Sequence, residues 1–336
     1  MAQLTLTQLG IAKNNDTNYM DFVLNYNTMT AKFCNLQPTK SHRLEARIKN
    51  KEKQTSGYWR VWSIGDRGIQ WAPKTYNNGK EWDSPILKSN LQKAVRQMNI
   101  DEALKTTIEL ALIDQQALLR RLPIIAIEDV SLIGGTATIV WLMMVRRSNL
   151  SMKEIAFVLK YVSALCQTQR TFFNDKRVTA RTSCFKSVII KSKETQRDEV
   201  AALYVRAGYG GMQGDIKMLR RAIIAFRVEP VEYTMVLVKD VSVPRVIDLD
   251  HEVLPSSIDF HPRPWILKYI HHQTNIPEST IKSIIWNAES APNNRKLWTV
   301  EKSKIAKSED IWPLIKHHLD IARILLNNKR VNKESI

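Results

Sequence analysis

The sequence predicts an α+β protein with three regions: a β-rich N-terminal domain over 1–87, a helical domain over 88–175, and a mixed, mainly helical domain over 176–336. Three observations predict it. Large rings alternate with polar residues near the N-terminus, as they do on half-buried strands. Apolar residues then recur at helical spacing through the middle of the chain. Beyond 176, strand-like and helix-like runs interleave before helix returns towards the C-terminal end.

In the first region YMDFVLNY (19–26) reads as a strand, and Asn77-Asn78-Gly79 as a turn. YWRVWSIGDRGIQW (58–71) reads as a half-buried strand and hairpin, with Gly65 and Gly68 supplying the bend, and Pro85 closes the region. In the second region Leu91, Ala94, Val95 and Met98 share a helical face. Asn99 caps a following helix, with Glu102 three residues on. Leu118, Leu119, Leu122, Ile125 and Ala126 form another apolar face. Ser151-Met-Lys-Glu154 is a capping box, and the helix behind it turns Ile155, Val158, Leu159, Val162 and Leu165 inward. Several short-linked helices of this kind imply bundle-like packing. In the third region FKSVIIKS (185–192) and EYTMVLVKDV (232–241) read as strands, and DEVAALYVRAG (198–208) and DIKMLRRAIIAF (215–226) as helices. Helices are also expected over 264–273, 277–287 and roughly 310–328.

Charge narrows the function. Fifty Lys and Arg against thirty-three Asp and Glu leave +17 over 336 residues, and a protein this basic meets a polyanion, nucleic acid first. Cys34, Cys166 and Cys184 are odd in number, far apart and without CxxC spacing. This pattern argues against a disulfide framework and a cysteine zinc site, and fits an intracellular, reducing compartment, nucleus or cytoplasm. The longest apolar run, Ile139 to Val145, is far short of a membrane span, and MAQLTLTQLG lacks the pattern of a secretory leader.

Two segments concentrate the cations. Residues 40–53 carry Lys40, Arg43, Arg47, Lys49, Lys51 and Lys53 beside two acids. Residues 170–193 carry Arg170, Lys176, Arg177, Arg181, Lys186, Lys191 and Lys193 against Asp175 alone. Mobile surface cations hold phosphates, so these are the predicted nucleic-acid contacts. Tyr58, Trp59, Trp62 and Trp71 adjoin the first cluster, and Phe172 and Phe173 the second. Exposed rings beside cations stack unpaired bases, whereas buried ones build a small β core, and for the tryptophans the core is the expectation.

Other motifs weigh less. GYGGMQGD (208–215) fits neither a Walker A loop nor GxGxxG; it reads as a turn with Asp215 as the cap of the next helix. Asp248, Asp250, Asp259 and His261, with His271 and His272 beyond, are residue types that bind hard cations or zinc, so a metal-dependent nuclease or phosphotransferase is the enzymatic alternative. Pro255, Pro262 and Pro264 interrupt that segment and no HExxH occurs, so neither metal nor cofactor is expected.

LQKAVRQMNIDEAL (91–104) and LLRRLPIIAIEDVSL (118–132) carry a resemblance. Through Leu91, Gln92, Lys93, Ala94, Arg96, Glu102, Ala103, Leu104, Arg120, Arg121, Leu122, Ile127, Glu128 and Asp129, residues 91–166 resemble the C-terminal, collar-like domain of the RarA/MgsA family. These are AAA+ ATPases related to clamp loaders, and they include the Werner-helicase-interacting protein. The likeness implies an oligomerisation module, a homo-oligomer or replication-protein partner, and an accessory role in DNA replication or repair, which favours DNA over RNA. No GxxxxGK[ST] is present, so ATP hydrolysis is not carried over. Glu128 and Asp129 are adjacent on a helix and point about 100° apart. They are expected to pack and to pair with bases such as Arg120 or Arg121 rather than to act as a catalytic pair. IDFHPRPWIL (258–267) and IIWNAESAPNNR (284–295) resemble segments of large-DNA-virus proteins, which adds a viral structural or nucleic-acid-packaging protein, sited in a viral factory, as a further alternative.

Overall fold

The computed structural model describes residues 19–34, 36–49, 58–76, 82–145, 147–168, 194–228, 241–248, 253–289 and 311–331. Small N-terminal strands and a predominance of helix make the fold α+β, as predicted. The chain divides into two compact units, each built of discontinuous segments: 1–72 with 115–243, and 73–114 with 244–336. The segment 91–166 is therefore shared between them.

The first unit is organised on four strands: β1 (Tyr19–Asn25), β2 (Thr30–Cys34), β3 (His42–Lys49) and β4 (Tyr58–Ile64). Their order is β2-β1-β4-β3. β1 runs antiparallel to β2 and parallel to β4, and β3 runs antiparallel to β4. The predicted 58–71 hairpin is corrected here. Only 58–64 is strand, and Gly65 and Gly68 adopt positive φ in a loop. That loop docks through Trp71 N–H to the Leu150 carbonyl and Met152 N–H to the Ile69 carbonyl, so the tertiary partner overrides a local hairpin.

Alternation along the strands sends Phe22, Leu24, Phe33, Trp59 and Val61 to one face, where all are buried. Phe22 and Phe33 stack at 4.0 Å, and Phe33 meets Trp59 edge-on at 5.8 Å. Behind them lies the helix α3 (Thr136–Val145), buried from Thr136 to Met144 and apolar apart from Thr136 and Thr138. Its Trp141 indole N–H donates to the Phe22 and Trp62 carbonyls at 3.2 and 3.0 Å. The bundle expected over 88–175 is thus replaced, for α3, by packing on a sheet. The longest helix, α2 (Ile100–Asp129), follows α1 (Ser84–Arg96) and breaks at Asp114, where φ is −154°. After α3 comes α4 (Met152–Gln167), then α5 (Glu194–Gly208) and α6 (Gln213–Val228). The Ser151–Glu154 capping box of α4 forms as predicted. Glu199 of α5 accepts from the N–H groups of Gly135 and Ala137 at the start of α3. Gly135 is required there: at φ 90° a Cβ would sit 2.8 Å from the Phe157 ring.

Among the described residues the second unit contains α1, the start of α2, a short parallel pair of β5 (Lys74–Tyr76) and β6 (Val246–Asp248), and four further helices. These are α7 (Pro255–Asp259), α8 (Pro264–Thr274), α9 (Glu278–Glu289) and α10 (Trp312–Val331). Ile266, Ile270, Ile281, Ile285, Ile315, Leu319 and Ala322 form the core shared by α8, α9 and α10. Asn99 caps α2 by accepting from the Glu102 N–H at 3.1 Å. Of the predicted α1 face, Leu91, Ala94 and Val95 are buried, but Met98 lies beyond the helix end with φ 60° and is exposed. The resemblance residues Gln92, Lys93 and Arg96 are buried too. Lys93 Nζ donates to the Ser256 carbonyl at 2.5 Å, and the fully buried Asn90 bonds to Thr106, Leu254 and Ser257.

Candidate functional site

The cation cluster at 40–53 falls on β3, the edge strand of the sheet. Simple alternation would place Arg43, Glu45, Arg47 and Lys49 on one side. A β-bulge between Leu44 and Ala46 changes this. Arg47 pairs with Arg60 and Lys49 with Tyr58 on the face away from α3, while Ala46 and Ile48 oppose the buried Val61 and Trp59. The extra residue at the bulge, Glu45, is turned to the inner side. There its carboxylate accepts from Ser63 Oγ at 2.6 Å and pairs with Arg147 at 2.5 Å. Glu45 is the only acid between 36 and 49, so the bulge strips the outer face of β3 of negative charge.

The outer face continues across the sheet. Tyr58, Arg60 and Trp62 project from β4, Asp21 and Val23 from β1, and Lys32 from β2. Lys32, Arg47 and Lys49 are exposed, Tyr58 is 43% exposed, and Arg60 and Trp62 are half-buried. Asp21 neutralises Arg60 and leaves Lys32, Arg47 and Lys49 uncancelled, because its carboxylate is buried and saturated. It accepts from Arg60 Nε and Nη2, both at 2.7 Å, from Trp62 Nε1 at 2.8 Å and from the Leu36 N–H at 3.0 Å. The guanidinium carbon of Arg60 lies 5.8 Å from the centre of the Trp62 ring. A cation and an indole are thereby held in place by one buried acid, an arrangement that removes side-chain freedom before any ligand arrives.

The predicted contacts are therefore only partly brought together. Arg47 and Lys49 share the outer face. Arg43 is exposed but opposes Ser63 on the other side, and Lys40 is exposed in the preceding turn. Lys51, Lys53, Arg170, Lys176, Arg177, Arg181, Lys186, Lys191 and Lys193 lie outside the described residues. Sequence reasoning missed Lys32, Arg60 and the anchor Asp21. The period-two pattern of β1 and β4 was the available signal, but the parallel pairing of strands 39 residues apart was not visible in it. The tryptophans divide: Trp59 and Trp71 are core, as expected, whereas Trp62 is on the outer face.

Behind the sheet, Glu154 gathers a second network. It is 1% exposed and accepts from Arg67, Arg147, the Tyr26 hydroxyl at 2.7 Å and the Ser151 N–H at 2.6 Å. Burial alone would push its carboxyl up, but these donors, Arg67 foremost, hold it below the usual carboxylate value. Burial and the neighbouring Glu154 raise the Tyr26 hydroxyl. With its acid buried and its donors shared among Glu154, Glu45, Tyr26 and the Asn149 carbonyl, this network is structural.

The remaining candidates resolve as follows. α6 begins at Gln213, so Asp215 lies inside its first turn and is not the cap; it pairs with Arg121 at 3.5 Å. Asp129 is fully buried and Glu128 half-buried at the end of α2, and Glu128 lies close enough to Asp215 to help raise its carboxyl, after burial. Gly208 ends α5 and Gly214 lies in α6, and between them Gly210 and Gly211 make the turn at positive φ. Arg206 donates to the carbonyls of Arg120 at 2.8 Å and Gly210 at 2.9 Å. Burial, then the charge of Arg120, brings this guanidinium down to about 10. Asp259 is buried and bound by Arg323 and Lys316, so its carboxylate is already neutralised by protein cations. His261 packs edge-on against Phe260, and His271 Nδ1 donates to the Ile276 carbonyl at 2.8 Å. Asp250 and the Asp248 side chain lie outside the described residues. Among the described residues, no three His, Cys, Asp or Glu side chains are grouped to hold a metal ion. No helix among them is long and apolar enough to cross a membrane. Comparison with protein families, with curated proteins and with solved structures finds no match.

Proposed function

We propose that this chain is a non-enzymatic, basic nucleic-acid-binding protein that uses the outer face of its four-stranded sheet. The observation that carries the reading is the bulge at Glu45. It removes the one acid of the strand from the face that bears Arg47 and Lys49, and leaves that face cationic together with Lys32. The surplus of +17 over the whole chain acts in the same direction at longer range, steering a polyanion to the surface. DNA is preferred over RNA, and an accessory role in replication or repair is preferred, on the collar-like sequence likeness of 91–166.

Binding of this kind releases counterions, so affinity falls steeply with salt. The test is fluorescence anisotropy with labelled DNA across a salt series, for the wild type and for Arg47→Gln/Lys49→Gln. Removing two phosphate contacts reduces the magnitude of the log–log slope by about 1.8 on duplex and about 1.4 on single strands. A wild-type affinity that does not change with salt overturns the reading.

A further inference from the structure

We propose that the ligand of this face is an unpaired nucleic-acid strand, DNA or RNA, whose bases stack on Tyr58 and Trp62 while its phosphates lie on Arg47, Lys49 and Lys32. The inference rests on the nucleic-acid reading above and goes further, because it assigns the rings and not only the cations.

Rings and cations alternate on the outer face in two dimensions. Along β4 the order is Tyr58, Arg60, Trp62; across the sheet Lys49 stands opposite Tyr58, Arg47 opposite Arg60, and Lys32 in the row of Trp62 through Val23. At about 3.3 Å per residue the two rings are spaced by roughly 13 Å, with a cation row midway between them. Bases inside a duplex are hidden in the stack and offer no ring face to a flat sheet, so only unpaired bases reach both rings. Stacking on aromatic side chains beside a cationic track is the physical basis of binding to single strands without sequence preference.

Burial supports the assignment. Tyr58 stands on the face opposite the core and exposes 43% of its surface there, so part of the ring is accessible to a ligand. Trp62 is anchored by its N–H to Asp21 and neighbours the Arg60 guanidinium. An indole whose one polar group is already satisfied can stack on a base without losing a hydrogen bond. Charge complementarity selects the occupant: the face bears exposed Lys32, Arg47 and Lys49, and its one acid is saturated by Arg60 and Trp62.

The experiment uses the full chain and measures affinity by anisotropy for oligothymidylate, oligouridylate and a mixed-sequence duplex, each of about twenty units, at one salt concentration. The expected result is that a single strand binds at least about ten-fold more tightly than the duplex, and that Tyr58→Ala weakens the single strand by about five- to a hundred-fold, with little change for the duplex. Tyr58→Phe, which keeps the ring, retains the affinity and controls for a purely structural effect. The two homopolymers separate the sources: the one bound more tightly identifies DNA or RNA as the strand. Equal affinity for single strand and duplex, or a Tyr58→Ala protein that binds single strands as the wild type does, overturns this inference and leaves the cationic reading standing. Absence of binding to all three overturns both.

Discussion

The two faces of the four-stranded sheet are made by the same strands and differ completely in chemistry. The inner face holds Phe22, Leu24, Phe33, Trp59 and Val61 buried against α3. The outer face holds Lys32, Arg47, Lys49, Tyr58, Arg60 and Trp62 and is cationic and aromatic. Trp59 and Trp62 are three residues apart and have opposite duties, because a strand turns successive side chains to opposite sides. The contrast teaches that aromatic richness in a short basic segment is divided by the pleat into a core half and a surface half.

Breaking the inner half has the largest effect. Trp59→Ala removes a buried ring packed on Phe33 and is expected to cost about 3–5 kcal/mol in urea unfolding, with loss of cooperative folding as the extreme outcome. Close behind is Glu154→Gln, which leaves Arg67 without its acid and Arg147 with Glu45 alone, and costs about 3–5 kcal/mol. That variant also carries a pH signature. The folded Glu154 carboxyl lies below its unfolded value of about 4.5, so its contribution is full above that value and is lost as the pH falls through the lower, folded one. Thermal melts between neutral and acidic pH are therefore expected to show a flatter acid limb in Glu154→Gln than in the wild type.

An intermediate effect belongs to Asp21, which joins the two faces. Asp21→Asn weakens the bonds to Arg60 and Trp62 and is expected to cost about 1.5–3 kcal/mol by urea unfolding, while loosening the outer-face rings and lowering affinity for single strands. The smallest stability change is that of Tyr58→Ala, within about 0.5 kcal/mol of the wild type, since the ring is exposed. A large loss of stability there would show that Tyr58 belongs to the inner half of the comparison after all.

A second contrast concerns acids. Asp259 invites a metal-site reading when seen beside Asp248, Asp250 and His261 in the sequence. In the second unit it is instead the partner of Arg323 and Lys316, which come from a helix more than fifty residues later. Glu45 is the mirror case: it dilutes the basic cluster on paper, yet the bulge and Arg147 take it out of that cluster. Counting charges along a segment thus overstated one site and understated another.

Much of the local structure was legible. The cap at Asn99, the capping box at Ser151 and Glu154, and the helices that became α5, α6, α8, α9 and α10 follow from residues within a turn or two of each other. The cap assigned to Asp215 failed by three residues: the helix starts at Gln213, and the Asp215 carboxylate pairs instead with Arg121, 94 residues away.

By itself the sequence determined the α+β class, the helix boundaries set by caps and apolar period, and the surplus of positive charge, since each depends on residue type and short-range spacing. Only the tertiary structure decided which cations and rings stand together. That outcome depends on a bulge that reverses side-chain facing within β3, on the parallel pairing of β1 with β4, and on a buried carboxylate at Asp21 that orients Arg60 and Trp62. These are contacts between residues distant in the chain, and facing is a property of paired strands that no single strand possesses alone.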